Sequence, residues 1–275
     1  MGRPMILSMS GWYPSTKQSC IKEIESFINE QNIDIKNCIS TIVPHAGWYF
    51  CGKLSINCIR ILREKSTDIK NVFIFGGHLS THSKPILETF DYAETPLGEL
   101  INNKEVLKFL SSNKEIEKLE FVPDNTIEVL LPIVKYFFKD TQITAIYLPP
   151  NNNTIKFVED LYDNFGKNSV FIGSTDLTHY GPNYDFYHSD KNIPPIDWVR
   201  NVNDKNYVDL LLNVEDKKGL EYALKNKSAC SSGAALGAVT VARKNNITKG
   251  NLLSYSTSYD LHKDKSFVGY AGIIY

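Results

Sequence analysis

Short apolar runs alternate with amphipathic helical patterns along most of this sequence, and this alternation constrains the fold more than any other feature. Ile39 to Val43, Val72 to Phe75, Ile143 to Leu148 and Val170 to Ile172 have the length and apolar character of buried strands. Strands separated by helical patterns predict a sheet that is covered on both faces. We therefore expect an α/β protein with a central sheet between two layers of helices.

The remaining elements follow from the same periodicities. Ser15 or Thr16 can cap a first helix, and two terminal strands are predicted at Leu252 to Tyr255 and Phe267 to Ile274. We find no repeat or long linker, so we expect one domain over residues 1–275. Apolar residues at helical spacing predict further helices within 54–62, 106–110, 127–134, 157–165, 198–212 and 220–224.

Charge and cysteine usage exclude several classes of protein. Thirty basic and 31 acidic residues give a net charge of −1, which predicts neither nucleic acid nor an anionic membrane surface as a partner. No apolar stretch is long enough to span a bilayer, and Met1 to Cys20 lacks the apolar run of a signal peptide. The five cysteines are odd in number and form no CxxC pair, which indicates a reducing compartment. We expect a cytoplasmic protein.

Histidines follow three of the predicted strands. His45, His78 and His179 each lie in the polar turn after an apolar run, and His82 lies four residues beyond His78. Ligands of open α/β sheets bind at the carboxyl ends of the strands, so these imidazoles would converge if their strands were parallel neighbours. A single histidine there is more often a hydrogen-bonding loop residue, but four of the six histidines fall in such turns. His188 and His262 are interpreted as surface residues.

Several short motifs then resemble, in order, the landmarks of the Memo-like family, whose bacterial and archaeal members are often called AmmeMemoRadiSam system protein B. The resemblance implies a sandwich fold related to the class III (LigB-type) extradiol dioxygenases. It also implies a functional association with radical-SAM and AMMECR-type proteins. The motifs are Ser10-Gly11-Trp12-Tyr13-Pro14, Pro44-His45-Ala46-Gly47-Trp48-Tyr49, Thr95-Pro96-Leu97-Gly98, Ser174-Thr175-Asp176-Leu177-Thr178-His179-Tyr180-Gly181 and Val268-Gly269-Tyr270-Ala271-Gly272.

The resemblance further implies roles for individual residues. It implies three metal ligands, a polar catalytic pair beside the metal, and residues that line a substrate or partner cleft. These are, in that order, His45, His78 and Cys230; Asp176 and His179; and Trp12, Tyr49 and Glu128. The less favoured alternative is that Cys230 is an inert buried thiol.

The sequence departs from the family pattern at two places. The turn Gly76-Gly77-His78 is one residue shorter than usual, which leaves His82 as an alternative ligand. Asn125 stands where the family commonly has histidine, and an amide cannot act as a general base at neutral pH. The second departure weakens the prediction of catalysis.

The implied ligand set bears on function. Two imidazoles and a thiolate favour iron, copper or zinc, whereas ring-cleaving oxygenases use two imidazoles and a carboxylate, so ring cleavage is not carried over. No phosphate-binding loop or dinucleotide motif indicates a nucleotide cofactor. The leading hypothesis is an iron- or copper-dependent oxidoreductase acting on a small molecule. The alternatives are a non-catalytic peptide- or protein-binding module and, less favoured, a zinc hydrolase.

Overall fold

The computed structural model describes residues 1–29 and 35–275 and shows a mixed central sheet flanked by helices, which confirms the predicted α/β class. In the described residues, the strands are β1 (Gly2–Arg3), β2 (Ser40–Val43), β3 (Asn71–Gly76), β4 (Ile86–Glu88), β5 (Tyr92–Ala93), β6 (Leu100–Ile101), β7 (Glu117–Leu119), β8 (Gln142–Tyr147), β9 (Ser169–Ser174), β10 (His179–Tyr180), β11 (Asn251–Thr257) and β12 (Phe267–Ile274).

The α-helices connect these strands and cover them. They are α1 (Lys17–Phe27), α2 (Trp48–Glu64), α3 (Lys104–Ser111), α4 (Asn125–Glu128), α5 (Leu131–Phe137), α6 (Asn153–Phe165), α7 (Pro195–Trp198), α8 (Asp204–Leu212), α9 (Asp216–Asn226), α10 (Ser232–Lys244) and α11 (Ser258–Leu261). A π-helical turn over Val199–Asn203 joins α7 to α8, so the predicted helix at 198–212 begins three residues early.

The large sheet has the order β10-β12-β2-β9-β3-β8-β4-β7, with β11 paired to β12. Its centre is parallel, because β9 lies between β2 and β3 and runs parallel to both, and β8 runs parallel to β3. Antiparallel pairs attach β12 and β4 on either side. A separate small sheet contains β1, β5 and β6.

Alternate residues of the central strands pack on opposite faces of the sheet. Val72 and Ile74 of β3 belong to the core that includes α2 and α5, whereas Phe73 and Phe75 belong to the core that includes α6 and α10. Phe73 also stacks on Phe171 of β9, with ring centroids 4.9 Å apart. Side chains in a strand point alternately to the two faces, so the continuous apolar runs reflect burial on both sides.

Two helical predictions were refined by the structure. Thr16, rather than Ser15, caps α1, and its side chain accepts a hydrogen bond from the Ser19 backbone N–H. The single helix predicted over 127–134 is divided into α4 and α5. Pro132 lies in the first turn of α5, and a proline has no N–H for a helical bond to the carbonyl four residues earlier. A new helix can therefore start there while the preceding one ends.

None of the helices in the described part of the chain is long and apolar enough to cross a membrane.

Candidate metal centre

The three strands that precede the predicted site histidines are neighbours in the sheet. β9 is flanked by β2 and β3, all three are parallel, and Val43 is paired with Ser174 near their carboxyl ends. The strand adjacency that sequence alone could not establish is therefore present. The turns after these strands open at one edge of the sheet, where open α/β sheets bind ligands.

His45 is almost fully buried and is held through its backbone and its ring. Its N–H donates to Asp176 Oδ1 over 2.7 Å, and its Nδ1 lies 3.0 Å from Ser174 Oγ. The Ser174 hydroxyl donates its hydrogen to the Thr126 carbonyl, so Ser174 Oγ accepts from the His45 Nδ1–H. The remaining nitrogen, Nε2, lies 3.2 Å from Cys230 Sγ. The hydrogen-bond network thus directs Nε2 toward the thiol.

His78 reaches the same site through the short glycine turn. Gly77 has a φ of +108°, a conformation that glycine adopts without steric cost, and its N–H donates to Thr126 Oγ1. His78 Nδ1 lies 3.0 Å from Asp124 Oδ2, which leaves Nε2 for another partner. The His45 and His78 rings are almost perpendicular, with centroids 5.2 Å apart. His78 is therefore brought to His45, although its side chain is 40% exposed.

The half-buried thiol of Cys230 completes a group of three potential ligands. One ligand atom from each of His45, His78 and Cys230 lies within 4.8 Å of the others. Ligand atoms bound to one transition metal at bond lengths of about 2.0–2.3 Å lie closer together than that limit, so small side-chain shifts would bring the three to a common ion. His82 is exposed and is absent from the potential ligand groups found among the described residues.

Asp176 and His179 also lie close to the thiol. Asp176 Oδ2 is 3.8 Å from His179 Nε2 and 3.9 Å from His45 Nε2, distances that are too long for hydrogen bonds. With Cys230 they form a second group whose ligand atoms lie within 4.8 Å of one another. His179 Nε2 is buried and has no hydrogen-bond partner among the described residues. The site therefore contains a buried nitrogen that is free for a substrate, a water molecule or a metal.

The charges of the cluster are strongly coupled. Burial alone would raise the pKa of the Cys230 thiol, but the imidazoles of His45, His179 and His78 hold that pKa well below its ordinary value. Burial would likewise lower the pKa of His78 and of His179. The carboxylates of Asp124 and Asp176, with the Cys230 thiolate, instead raise each pKa to about 10. In the absence of a metal, the charges of the cluster therefore lower the pKa of the thiol and raise the pKa values of the imidazoles around it.

A buried network behind the site ties its two loops together. Asp204 accepts hydrogen bonds from the backbone N–H and the hydroxyl of Thr178, and Asn203 donates to the same hydroxyl. Ser228, two residues before Cys230, donates to the Asn203 side chain over 3.0 Å. Burial raises the pKa of the Asp204 carboxyl to about 6 against the lowering effect of these donors. This network was not predicted from the sequence, where its only signal is polar residues within an apolar helical stretch.

Asn125, where the sequence departs from the family pattern, and Glu128, which the resemblance implies, both have supporting positions. Asn125 Nδ2 donates to the His45 carbonyl over 3.1 Å, so this amide holds the backbone of a potential ligand. Glu128 does not line an open cleft, which corrects the sequence prediction. Its carboxylate is only 1% exposed, accepts from Tyr13 Oη and from the N–H of Ile6, and pairs with Arg3.

The two predicted aromatic cleft residues, Trp12 and Tyr49, have different surroundings. Tyr49 is 71% exposed and lines a groove of about 500 Å³ with Phe50 and Leu261. The half-buried Trp12 accepts the N–H of Trp48 at its backbone carbonyl. The residues that line this groove do not include the proposed metal ligands.

The two histidines interpreted as surface residues differ. His262 is exposed, as predicted. His188 is partly buried and stacks on Trp198, with ring centroids 4.9 Å apart and planes within 10° of parallel. The prediction for His188 was wrong, because a histidine in a loop can be enclosed by aromatic residues that are distant in sequence.

Comparisons with known proteins bear on the fold and on the family. A crystal structure of an uncharacterized protein from Escherichia coli K12 has a TM-score of 0.54 and 8% sequence identity, and the match covers 86% of this chain and 99% of that one. That likeness concerns the fold alone. Relatives described as MEMO1 family proteins are 26% identical in Methanosarcina barkeri and 28% identical in Methanosarcina mazei, each over 96% of this chain and at least 95% of the relative.

The family assignment follows from coverage of almost the whole chain. The family model described as Memo-like protein matches residues 7–274, a range that contains every residue of the His/His/Cys cluster. The match confirms the resemblance carried by the sequence motifs, and this chain belongs to the Memo-like family.

Proposed function

We propose that this protein is a metal-dependent oxidoreductase that acts on a small molecule, with iron or copper held by His45, His78 and Cys230. The observation that carries the proposal is the convergence of these three ligand atoms within 4.8 Å. The hydrogen bonds of the two histidines support it, because Ser174 binds Nδ1 of His45 and Asp124 binds Nδ1 of His78, which leaves both Nε2 atoms available for a metal. Histidines that bind metals are commonly oriented in this way by a partner on the other ring nitrogen.

The donor set fits a transition metal better than a hard cation. Imidazole and thiolate are ligands of iron, copper and zinc, whereas magnesium and calcium prefer oxygen. A bound iron or copper ion would supply electron-transfer chemistry, and three protein ligands would leave a coordination position for substrate. The low pKa of Cys230 provides the thiolate form that a metal requires.

The residues beside the ligands are placed to handle protons. His179 Nε2 is buried, lacks a hydrogen-bond partner in the described residues, and lies 3.8 Å from the Asp176 carboxylate. Its raised pKa of about 10 means that the imidazole carries a proton at neutral pH. We assign His179 as the group that donates a proton to substrate. Asp176 accepts a hydrogen bond from the backbone N–H of His45, and its carboxylate acts on the His179 ring through its charge rather than through a hydrogen bond.

The test measures metal content and oxygen consumption together. Protein purified without a histidine tag would be analysed for iron, copper and zinc, and oxygen uptake would be followed after addition of Fe(II) or Cu(I) with candidate reductants. We expect one equivalent of metal and metal-dependent oxygen uptake, with both lost in His45→Ala. His262→Ala, which changes an exposed histidine, is the matched control. Stoichiometric metal with no oxygen uptake would contradict the oxidoreductase assignment.

A second candidate is a non-catalytic module that binds a peptide or protein. The observation that favours it is Asn125, which donates to the His45 carbonyl and supplies no general base where the family commonly has histidine. This candidate predicts that Asp176→Asn with His179→Gln leaves partner capture unchanged, whereas the oxidoreductase assignment predicts loss of turnover in the same double variant. Radical-SAM and AMMECR-type proteins are the partners to test first.

A further inference from the structure

A small cavity opens directly beside the candidate metal centre. It has a volume of about 230 Å³, and His179 and Cys230 are among the residues that line it. Tyr184 and Phe186 form an aromatic wall, and Lys227 lines the same cavity. Pockets for drug-sized ligands usually have volumes of about 300–1,000 Å³. This cavity therefore fits a ligand smaller than a nucleotide or a peptide segment.

The aromatic wall is in contact with the proposed proton donor. The Tyr184 ring lies against the His179 imidazole, with centroids 4.7 Å apart. The Phe186 ring lines the same cavity, and the Lys227 ammonium lies over that ring at 5.5 Å from its centroid. A planar ring placed in the cavity would contact these aromatic side chains and lie near His179.

The wall belongs to a segment that is anchored by His188. His188 Nε2 lies 2.9 Å from the Ile193 carbonyl, which can only accept, so Nε2 carries hydrogen. His188 Nδ1 therefore accepts from the Tyr180 hydroxyl over 2.8 Å. The ring also stacks on Trp198. Both nitrogens and one face of His188 are thus used to hold the segment that carries the aromatic wall.

Lys227 supplies an ammonium group that the protein itself does not neutralise. In residues 1–29 and 35–275, its Nζ makes no ion pair with a carboxylate within 4 Å. Its backbone has a φ of +50° and ends α9, three residues before Cys230. The position of Lys227 is therefore coupled by a short stretch of chain to the proposed ligand, and its charge is available at the cavity.

We propose that this cavity binds a small aromatic carboxylate, with its ring against Phe186 and Tyr184 and its carboxylate paired with Lys227. The remaining edge of the ring then faces His179 and Cys230, where the reaction would take place. This assignment of a substrate class rests on the proposed function for turnover, but the binding step depends only on the cavity. Lys227 is the residue that selects anionic over neutral ligands.

Benzoate and benzamide are the probes, because they share a ring and differ in charge. Calorimetric titrations would use the protein as purified, with its metal content measured in parallel. We expect wild type to prefer benzoate, and Lys227→Met to weaken benzoate binding about tenfold while leaving benzamide unchanged, since a charge-assisted contact is lost. Lys227→Arg should restore the preference. Lys225→Met, two residues away and outside the cavity lining, is the matched control.

Three results would overturn the inference: no benzoate binding to wild type, equal affinity for benzoate and benzamide, or unchanged benzoate binding in Lys227→Met. The failure of the proposed function gives a different pattern. Protein without metal or oxygen uptake that still binds benzoate through Lys227 would refute the oxidoreductase and retain the carboxylate site. Metal-loaded protein that consumes oxygen but does not bind benzoate would refute the carboxylate site and retain the oxidoreductase.

Discussion

Two buried polar clusters meet at the segment 124–128, and they differ in how completely their charged groups are hydrogen-bonded. One contains Arg3, Glu88 and Glu128 with two tyrosines, and its members hydrogen-bond mainly to one another. The other is the His/His/Cys centre, in which a thiolate lies among imidazoles and the His179 Nε2 has no partner in the described residues. We call them the closed cluster and the open cluster.

The closed cluster has the bonding expected of a structural ion network. The Arg3 guanidinium, 1% exposed, donates to Glu88 and Glu128, and the Tyr147 hydroxyl donates to Glu88. Burial raises the pKa of Glu88, while Arg3 and the Val122 N–H act in the other direction. Because the polar atoms of this network bond to one another, none is left to bind a ligand. Removing one member would leave a buried charge unpaired.

The open cluster differs from the closed cluster because it contains a polar atom that has no hydrogen-bond partner in the described part of the chain, and not because it carries more charge. Burial, charge and a perturbed pKa occur in both, but only the open cluster combines them with ligand atoms of mixed type and a bordering cavity. The difference teaches that a perturbed pKa identifies a candidate site only when an atom of the group also lacks a hydrogen-bond partner within the protein. Four predictions test this comparison, in order of decreasing effect on free energy.

Glu128→Ala should produce the largest effect, and on stability. It removes an acceptor of the Ile6 N–H and the Tyr13 hydroxyl and leaves Arg3 with one carboxylate. Removing one partner of a buried ion pair typically costs about 3–5 kcal/mol, and urea denaturation would measure the loss. Glu120→Ala, at an exposed position, should change the free energy of unfolding by less than about 0.5 kcal/mol. Equal stabilities would show that the closed cluster is not structural.

His78→Ala should act on metal binding instead of stability. Loss of a residue that only hydrogen-bonds to a metal ligand weakens metal binding by at most roughly 100-fold, and loss of one of three ligands should weaken it more. The variant should therefore lose stoichiometric metal, and circular dichroism should show that it remains folded. His82→Ala should retain metal, because His82 is exposed and lies outside the ligand group. The reverse result would make His82 the ligand and would mean that the turn rearranges on metal binding.

Ser174→Ala and Asp124→Asn should have intermediate effects. Each removes or weakens the partner that orients an imidazole, the first at His45 and the second at His78. Changes of this kind typically weaken metal affinity about 10–100-fold, and competition with a chromophoric chelator would measure it. Ser112→Ala, on the exposed end of α3, should have no effect. Unchanged affinity in both site variants would exclude the proposed orienting role.

The smallest expected effect is the change in metal affinity for each unit of pH. Below its pKa of about 10, His78 in the metal-free protein carries a proton that the metal must displace. Affinity should therefore rise about tenfold per pH unit for each proton released, and should level off as pH passes 10. Asp124→Asn removes a hydrogen-bonded cause of the raised pKa and should flatten the slope. A pH-independent affinity between pH 6 and 8 would contradict a protonated His78.

Much of the architecture was readable from the sequence. Four continuous apolar runs predicted the buried strands β2, β3, β8 and β9, because a strand covered on both faces is apolar throughout. The motifs around His45 and His179 pointed to the family; His45 lies two residues after β2, as expected, whereas His179 lies five residues beyond β9 and begins β10. Strands of two or three residues, such as β4 and β10, were not predicted, because so few residues carry no periodicity.

The sequence by itself determined which residue types stand at the ends of the strands and that those strands are buried. Only the tertiary structure decided which of these residues meet. Strand order placed β9 between β2 and β3, and the turn at Gly77 with the bond to Asp124 favoured His78 over His82. Separate contacts, to the Ile6 N–H and to Arg3, made Glu128 a buried support instead of a cleft residue. The physical reason is that whether a polar atom is free to bind a ligand depends on partners 46 to 185 residues away in the chain, which no local pattern encodes.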